Sequence, residues 1–428
     1  MTDSPLPRAE DRARTAIERT MALSPDVRAS IFTSFDAARI VDDARALDAD
    51  AVRSGKPLAG LLVSIKDLFD EAGITTTAGS TILASEPAAT RDAEAVRRLK
   101  AAGAVAFGRT TMSEFAYSGV GLNPHFGNPS NALDPTRITG GSTSGGAVTV
   151  ALGLADVALG SDTGGSVRIP AALNGLSGFK PTQASVPLDG AFPLSQTYDS
   201  IGPLARTIAQ CAAVYAVLSQ TQRPETGTTR NPRIGVARGL LTDGLDEQVA
   251  RDFDAALKRL AAAGFELVDV DLPMLEGFGS VNRILVATEA YAIHEDRLDA
   301  LATVGDARVL SRIRAAEGFG PSDVADARAK RKVAVAAFEL LGQDFDGFVA
   351  PTLPTVAPSI ADVEADFDRL NASMLRNPSA VNFLDGCAAT LPMQGEQTLA
   401  TGLMLFAPGG ADWRVLNLAE QAQAILDA

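Results

Sequence analysis

Imidazole and thiol are scarce in this 428-residue chain, which holds two histidines, two cysteines and one tryptophan. Cys211 and Cys387 cannot build a disulfide framework or a multi-cysteine zinc site. His125 and His294 are the whole imidazole supply. That shortage weakens every mechanism built on histidine, from Ser–His–Asp triads to His-rich metal centres and HExxH proteases. Positive charge is also short: 38 Lys and Arg face 52 Asp and Glu, a formal net charge of −14. No basic run stands out, so no nucleic-acid partner is expected. Long apolar runs are missing as well. The least charged stretch, 138–155, is broken by Gly, Ser and Thr, and the opening MTDSPLPRAEDRARTAIE has no apolar signal core. The expectation is a soluble cytoplasmic protein with no membrane partner. The rest is ordinary: 46% hydrophobic and 21% charged residues sit near globular averages, in a chain long enough to bury its core without disulfides or metal.

Residues 8–53, rich in Ala, Arg and acidic side chains with Ile17, Met21, Ile31 and Phe32 as apolar positions, predict one or two amphipathic helices. The run 61–65 (LLVSI) predicts a buried strand ending at Lys66 and Asp67. Residues 92–102 predict a helix closed by Gly103, followed by a strand at 104–107; residues 246–263 predict another, ended by Gly264 and followed by a strand at 265–270. Helices alternating with strands indicate an α/β protein whose sheet is largely parallel. Between residues 140 and 180, ten glycines are interleaved with apolar segments. That pattern marks tight turns and close backbone approach rather than a linker, and the active site is expected there. Residues 220–232 read as a surface linker, and no internal repeat is present.

Two segments carry chemistry: Gly140-Gly141-Ser142-Thr143-Ser144-Gly145-Gly146 and Gly160-Ser161-Asp162-Thr163-Gly164-Gly165-Ser166-Val167-Arg168-Ile169-Pro170. A serine preceded by two glycines can occupy a sharp turn whose N–H groups converge on a developing oxyanion. A structural turn is the alternative; a GxxxxGK[ST] phosphate loop is absent. A nucleophilic serine needs a base. With imidazole scarce, a buried, neutral lysine is the natural candidate, and Lys66 follows a strand of the kind buried on both faces. Its other reading is a lysine paired with Asp67 or Asp70.

Taken together, Lys66, GGSTSGG and SDTGGSVRIP closely resemble the amidase signature family, whose members hydrolyse or transfer amides with a Ser–cis-Ser–Lys triad. Ser142 and Ser166 are 24 positions apart, and Lys66 lies 76 before Ser142, separations which that family uses. Residues 108–115 (GRTTMSEF) look like its GKTNMxEF, 178–182 (GFKPT) like its GLKPT, and 199–206 (DSIGPLAR) like its DxxGPLAR. The match is dense over 55–210, absent as motifs over 233–345, and looser again at 351–354 and 377–392.

The resemblance implies an α/β amidase-signature fold with a large, twisted, mixed and mostly parallel sheet covered by helices on both faces. It implies a single domain, 1–428, with an N-terminal helical wrap (1–54), a catalytic core (55–220), a variable helical substrate region (233–345) and a C-terminal return (346–428). It also implies Ser166 as the acyl-forming nucleophile, Ser142 on a cis peptide bond as relay, and Lys66 as base. The N–H groups of Thr163, Gly164, Gly165 and Ser166 would make the oxyanion hole, while Asp162 and Arg168 hold the loop. Such a mechanism needs no metal or organic cofactor. Two departures are visible, Thr143 where many members have Ser and Arg109 where lysine is common.

Ala116, Tyr117, Ser118 and Gly119 occupy the place where family members line the acyl pocket, and His125 follows as a loop or substrate-contact residue. His294 reads as a helical core or surface histidine, Cys387 as packing near the Asn382 region, and residues 398–406 as a late strand near the site. Three functions are carried forward: a free-standing amidase for a small-molecule amide, the glutaminase subunit of a tRNA-dependent amidotransferase, and a non-catalytic relative. The resemblance allows a homodimer, and nothing in the chain indicates a small accessory subunit.

Overall fold

A computed structural model of the chain describes residues 8–224, 230–393 and 399–428. Its strands are β1 Phe32–Ser34, β2 Leu62–Lys66, β3 Val105–Thr110, β4 Val157–Ser161, β5 Ser177–Lys180 and β6 Ile201–Ala205. They continue with β7 Arg233–Ala237, β8 Glu266–Val270, β9 Gly347–Pro351, β10 Cys387–Pro392 and β11 Gly402–Ala407. All eleven join one mixed sheet in the order β1-β3-β2-β4-β6-β5-β10-β11-β9-β7-β8. Parallel pairing falls in two blocks, β3-β2-β4 and β9-β7-β8. These are the two regions where helices such as Glu94–Ala101 and Glu247–Ala262 alternate with strands in the sequence. The centre that joins the blocks, and the β1–β3 pair, are antiparallel.

Every residue of β2, β4, β5, β6, β9 and β11 is buried. Helices on both faces cover these strands, which is why they read as continuous apolar runs rather than alternating ones. β8 ends the sheet and is only partly buried, with Glu266 and Asp269 exposed; charge on a terminal strand discourages further pairing. The helix Glu94–Ala101 buries Ala95, Val96 and Leu99 at helical spacing. Gly103 at φ 92° turns the chain directly into β3.

The N-terminal region differs from the expected one or two helices. Three helices, Ala9–Met21, Pro25–Ile31 and Ala37–Ala49, enclose the short strand β1. Phe32, expected within a helix, pairs with Thr110 of β3 and packs its ring on Phe35 and Phe107, at 4.8 and 6.4 Å between centroids. An unpaired sheet edge and two aromatic partners outweigh local helical periodicity there. The region 233–345 is not only helical: it supplies β7 and β8 as well as the helix Phe278–His294. The strand expected at 398–406 begins at Gly402; Thr398 lies outside the described residues.

Because β2 and β4 run parallel in register, with Ile65 opposite Leu159, their last residues, Lys66 and Ser161, emerge side by side. Carboxyl ends of parallel strands are where open α/β sheets place their ligands.

Candidate active site

Lys66 is fully buried, and neither Asp67 nor Asp70 is its partner. Its Nζ lies 2.7 Å from Ser142 Oγ and 2.9 Å from Ser161 Oγ. Asp67 instead takes Arg109, whose Nε donates to Asp67 Oδ1 at 2.8 Å and whose Nη1 donates to the Phe69 carbonyl at 2.8 Å. That pairing frees the amine of a direct counter-ion. Burial lowers the Lys66 pKa from 10.5 to about 7, against the opposing pull of the Asp162 and Asp199 charges.

Ser142 is fully buried and follows a cis peptide bond from Gly141. The loop around it has no room for side chains. A Cβ on Gly141 would stand 2.7 Å from the Gly121 Cα, and one on Gly145 would stand 2.4 Å from the Ile31 carbonyl oxygen. The Thr143 methyl fits because two neighbours are glycines: a Cβ on Gly160 would meet it at 2.9 Å and one on Gly146 at 3.0 Å. Thr143 N–H donates to the Ser166 carbonyl at 3.2 Å, so the backbone beside Ser142 is stitched to the backbone of Ser166.

The loop from Asp162 to Ser166 is built around one carboxylate. Asp162 accepts Gly165 N–H at 2.8 Å and Val167 N–H at 3.2 Å, and pairs in a fork with Arg168 at 3.0 Å (Nε) and 2.9 Å (Nη2). Asn382 closes the cluster, donating to Asp162 Oδ1 at 3.0 Å and accepting from Arg168 Nη2 at 2.6 Å. Burial alone would push the Asp162 carboxyl up, but the Arg168 guanidinium and its companions outweigh it and hold the group at about 2. Gly165 sits at φ 129°, and a Cβ there would be 2.6 Å from the Pro378 Cβ; only glycine fits. Of the four N–H groups assigned to an oxyanion hole, that of Gly165 is thus engaged by Asp162. Those of Thr163, Gly164 and Ser166 make no hydrogen bond among the described residues.

A cavity of about 440 Å³ opens beside this loop, lined by Ser161 and Thr163 at one end and mainly by apolar side chains elsewhere. Ala116 is part of its wall; Tyr117, Ser118, Gly119 and His125 are not. Their hydrogen bonds explain where they go. Gly119 N–H and the Ser118 hydroxyl donate to Asn371 Oδ1 at 2.8 and 3.3 Å, and the Gly119 carbonyl accepts Gly141 N–H at 2.8 Å. They brace the cis bond from beneath. Tyr117 lies under Arg312, whose guanidinium carbon is 4.5 Å from the ring centroid. His125 bridges Glu114 Oε1 at 2.8 Å and Thr81 Oγ1 at 3.3 Å.

Sequence reasoning did not single out three contributors. Ser161 touches the lysine. Asp199 lines the cavity and accepts from Thr163 Oγ1 at 2.5 Å; burial pushes it up to about 6, against its hydrogen bonds. The helix Phe278–His294 supplies Glu289, Ala292 and Ile293 to the wall. The first two contributors lay inside segments already quoted, GSDTGGS and DSIGPLAR, whereas the helix has no motif to betray it. His294 is buried core, between Phe115 and Phe192 at 4.2 and 5.8 Å, and burial lowers its pKa to about 4. Among the described residues no group of three or more His, Cys, Asp or Glu is placed to hold a metal ion, and no helix is long and apolar enough to cross a membrane.

A buried amine thus lies against two hydroxyls, next to a glycine loop with free N–H groups and a mainly apolar cavity. The family model for amidases matches residues 11–416, and the chain belongs to that family. It is 32% identical to the 2-amino-5-chloromuconic acid deaminase of Comamonas testosteroni, over 93% of this chain and 89% of that protein. It is 31% identical to one subunit of the glutamyl-tRNA(Gln) amidotransferase of Synechococcus sp. (strain RCC307), over 98% of this chain and 94% of that one. An amidase of known crystal structure superposes with a TM-score of 0.89 at 32% identity, covering 98% of this chain and 96% of the other.

Proposed function

We propose that this protein is a free-standing amidase that cleaves the C–N bond of a small carboxylic amide through an acyl-enzyme on Ser166. The observation that carries this reading is the Lys66 amine, buried, without a carboxylate partner and 2.7 Å from Ser142 Oγ. The neutral amine takes the Ser142 proton while Ser142 takes that of Ser166, whose oxygen bonds to the amide carbon. The Thr163, Gly164 and Ser166 N–H groups receive the oxyanion; each such donor is worth roughly 2.7–4 kcal/mol. As the C–N bond breaks, the relay returns a proton to the leaving nitrogen, releasing ammonia or an amine. Water then resolves the acyl-enzyme by the same relay. Ser118 and Gly119 act on this reading by holding the loop beside Ser142, while Tyr117 and His125 are engaged by Arg312 and Glu114.

The reading is tested by ammonia release from a panel of amides, together with capture of Ser166 by a fluorophosphonate. Ser166→Ala is expected to lose capture completely and turnover by about 10⁴-fold or more. Labelling that survives in Ser166→Ala rejects Ser166 as the nucleophile, and its absence in the wild type rejects the reading and favours a non-catalytic relative. Glutamine belongs in the panel because of the likeness to an amidotransferase component. Ammonia release from glutamine that appears only with added partner proteins would turn the assignment to that class.

A further inference from the structure

The cavity beside the Ser161–Ser166 loop has walls whose chemistry selects among amides. Its lining includes Leu68, Leu188, Phe192, Leu194, Ile201 and Ile293, and among the described residues no lysine, arginine or histidine belongs to it. Its two carboxylates are tied into the loop above it. Asp199 accepts Thr163 Oγ1 at 2.5 Å, Leu194 N–H at 2.9 Å and Ser195 N–H at 3.1 Å. Glu289 accepts Ser195 Oγ at 2.5 Å and Thr197 N–H at 3.0 Å, with Arg328 at 3.8 Å on its outer side. Two further basic groups are committed elsewhere. Lys66 stands behind the Ser142 and Ser161 hydroxyls, and Arg312 donates to the Tyr117 carbonyl at 2.9 Å while covering the Tyr117 ring.

An acyl group carrying its own carboxylate would shed water in this space without gaining a counter-ion, and would face two fixed negative groups. An uncharged hydrocarbon would leave water favourably and meet matching walls. We infer that the amide recognised here has an uncharged, largely apolar acyl group, aliphatic or aryl, and that amides with a carboxylate on the acyl side are rejected. The inference rests on the amidase reading for the bond that is cut, but not for what the cavity holds.

Binding to the Ser166→Ala protein separates the two. Isothermal titration calorimetry at about pH 7.5, where an acyl carboxylate is ionised, compares hexanamide and 4-phenylbutanamide with 6-amino-6-oxohexanoic acid. The neutral amides are expected to bind at least about tenfold more tightly, because the acid's charge goes unpaired. Equal or tighter binding of the acid overturns the inference, and so does no binding of either neutral amide up to its solubility. Ile293→Arg places a cation on a half-buried wall position and is expected to improve binding of the acid by about tenfold or more. An unchanged affinity there overturns the assignment of that wall. Ammonia release from the same amides by the wild type is read separately. Selective binding without release defeats the amidase reading and leaves the cavity's preference standing.

Discussion

Acid titration of the buried amine is a direct perturbation of the proposed relay. With a pKa of about 7, half of the Lys66 amines are neutral at pH 7; at the ordinary 10.5, about one in 3,000 would be. Below the pKa the amine already carries its proton and cannot take one from Ser142. The neutral fraction falls to about one in eleven at pH 6 and about one in a hundred at pH 5. Both kcat/KM for ammonia release and the rate constant for fluorophosphonate capture of Ser166 are therefore expected to drop about tenfold per pH unit below neutrality and to level off about a unit above it. Asp199→Asn removes a charge that raises the Lys66 pKa, so its inflection moves to lower pH. The same shift has a stability sign. A folded-state pKa below the unfolded one penalises folding at acid pH, here by roughly 5 kcal/mol at about 1.4 kcal/mol per unit, and the penalty lifts as pH rises from about 7 to 10.5. Lys66→Met is expected to abolish hydrolysis yet melt no lower than wild type at pH 6 in scanning calorimetry. A capture rate flat down to pH 5, or an inflection near 10, refutes the neutral-amine relay.

Arg168→Met strips the buried Asp162 carboxylate of its fork. It is expected to cost about 3–5 kcal/mol in urea denaturation, because a buried charge is left short of its partner. Gly165→Ala forces a Cβ to 2.6 Å from Pro378 at φ 129°. Circular dichroism is expected to remain that of a folded protein while fluorophosphonate capture slows by about tenfold or more, as the backbone carrying Ser166 shifts. A wild-type capture rate in the glycine variant would contradict the stated need for that backbone position.

The signature segments were legible for a physical reason. On the proposed reading a nucleophile loop, its relay and a buried base need particular atoms at fixed positions, so Lys66, Ser142 and Ser166 stand out by type and spacing. The structure brings Lys66 to Ser142 directly and ties the strand of backbone after Ser142 to Ser166. Long amphipathic helices ended by glycine, at 94–101 and 247–262, were equally readable, since periodicity and cap are both local. Phe32 was not, because its strand pairing depends on an edge supplied by residues more than seventy positions away. Nor were the cavity walls. Apolar residues on the helix Phe278–His294 look the same whether they face core or substrate, and only the fold sets Ile293 and Thr163 in one enclosure. Ser118, Gly119 and His125 were read as pocket or substrate-contact residues from the resemblance alone; no sequence signal foretold their hydrogen bonds to Ser113, Asn371 and Glu114.

Glu289 fastens a helix from the late half of the chain to residues 195–197 of the early half. Most of the cavity wall lies on the same early length of polypeptide as Lys66, Ser142 and Ser166, and the late helix closes one side of it with Glu289, Ala292 and Ile293. Replacing residues on that helix would reshape one side of the enclosure while Lys66, Ser142 and Ser166 keep their places.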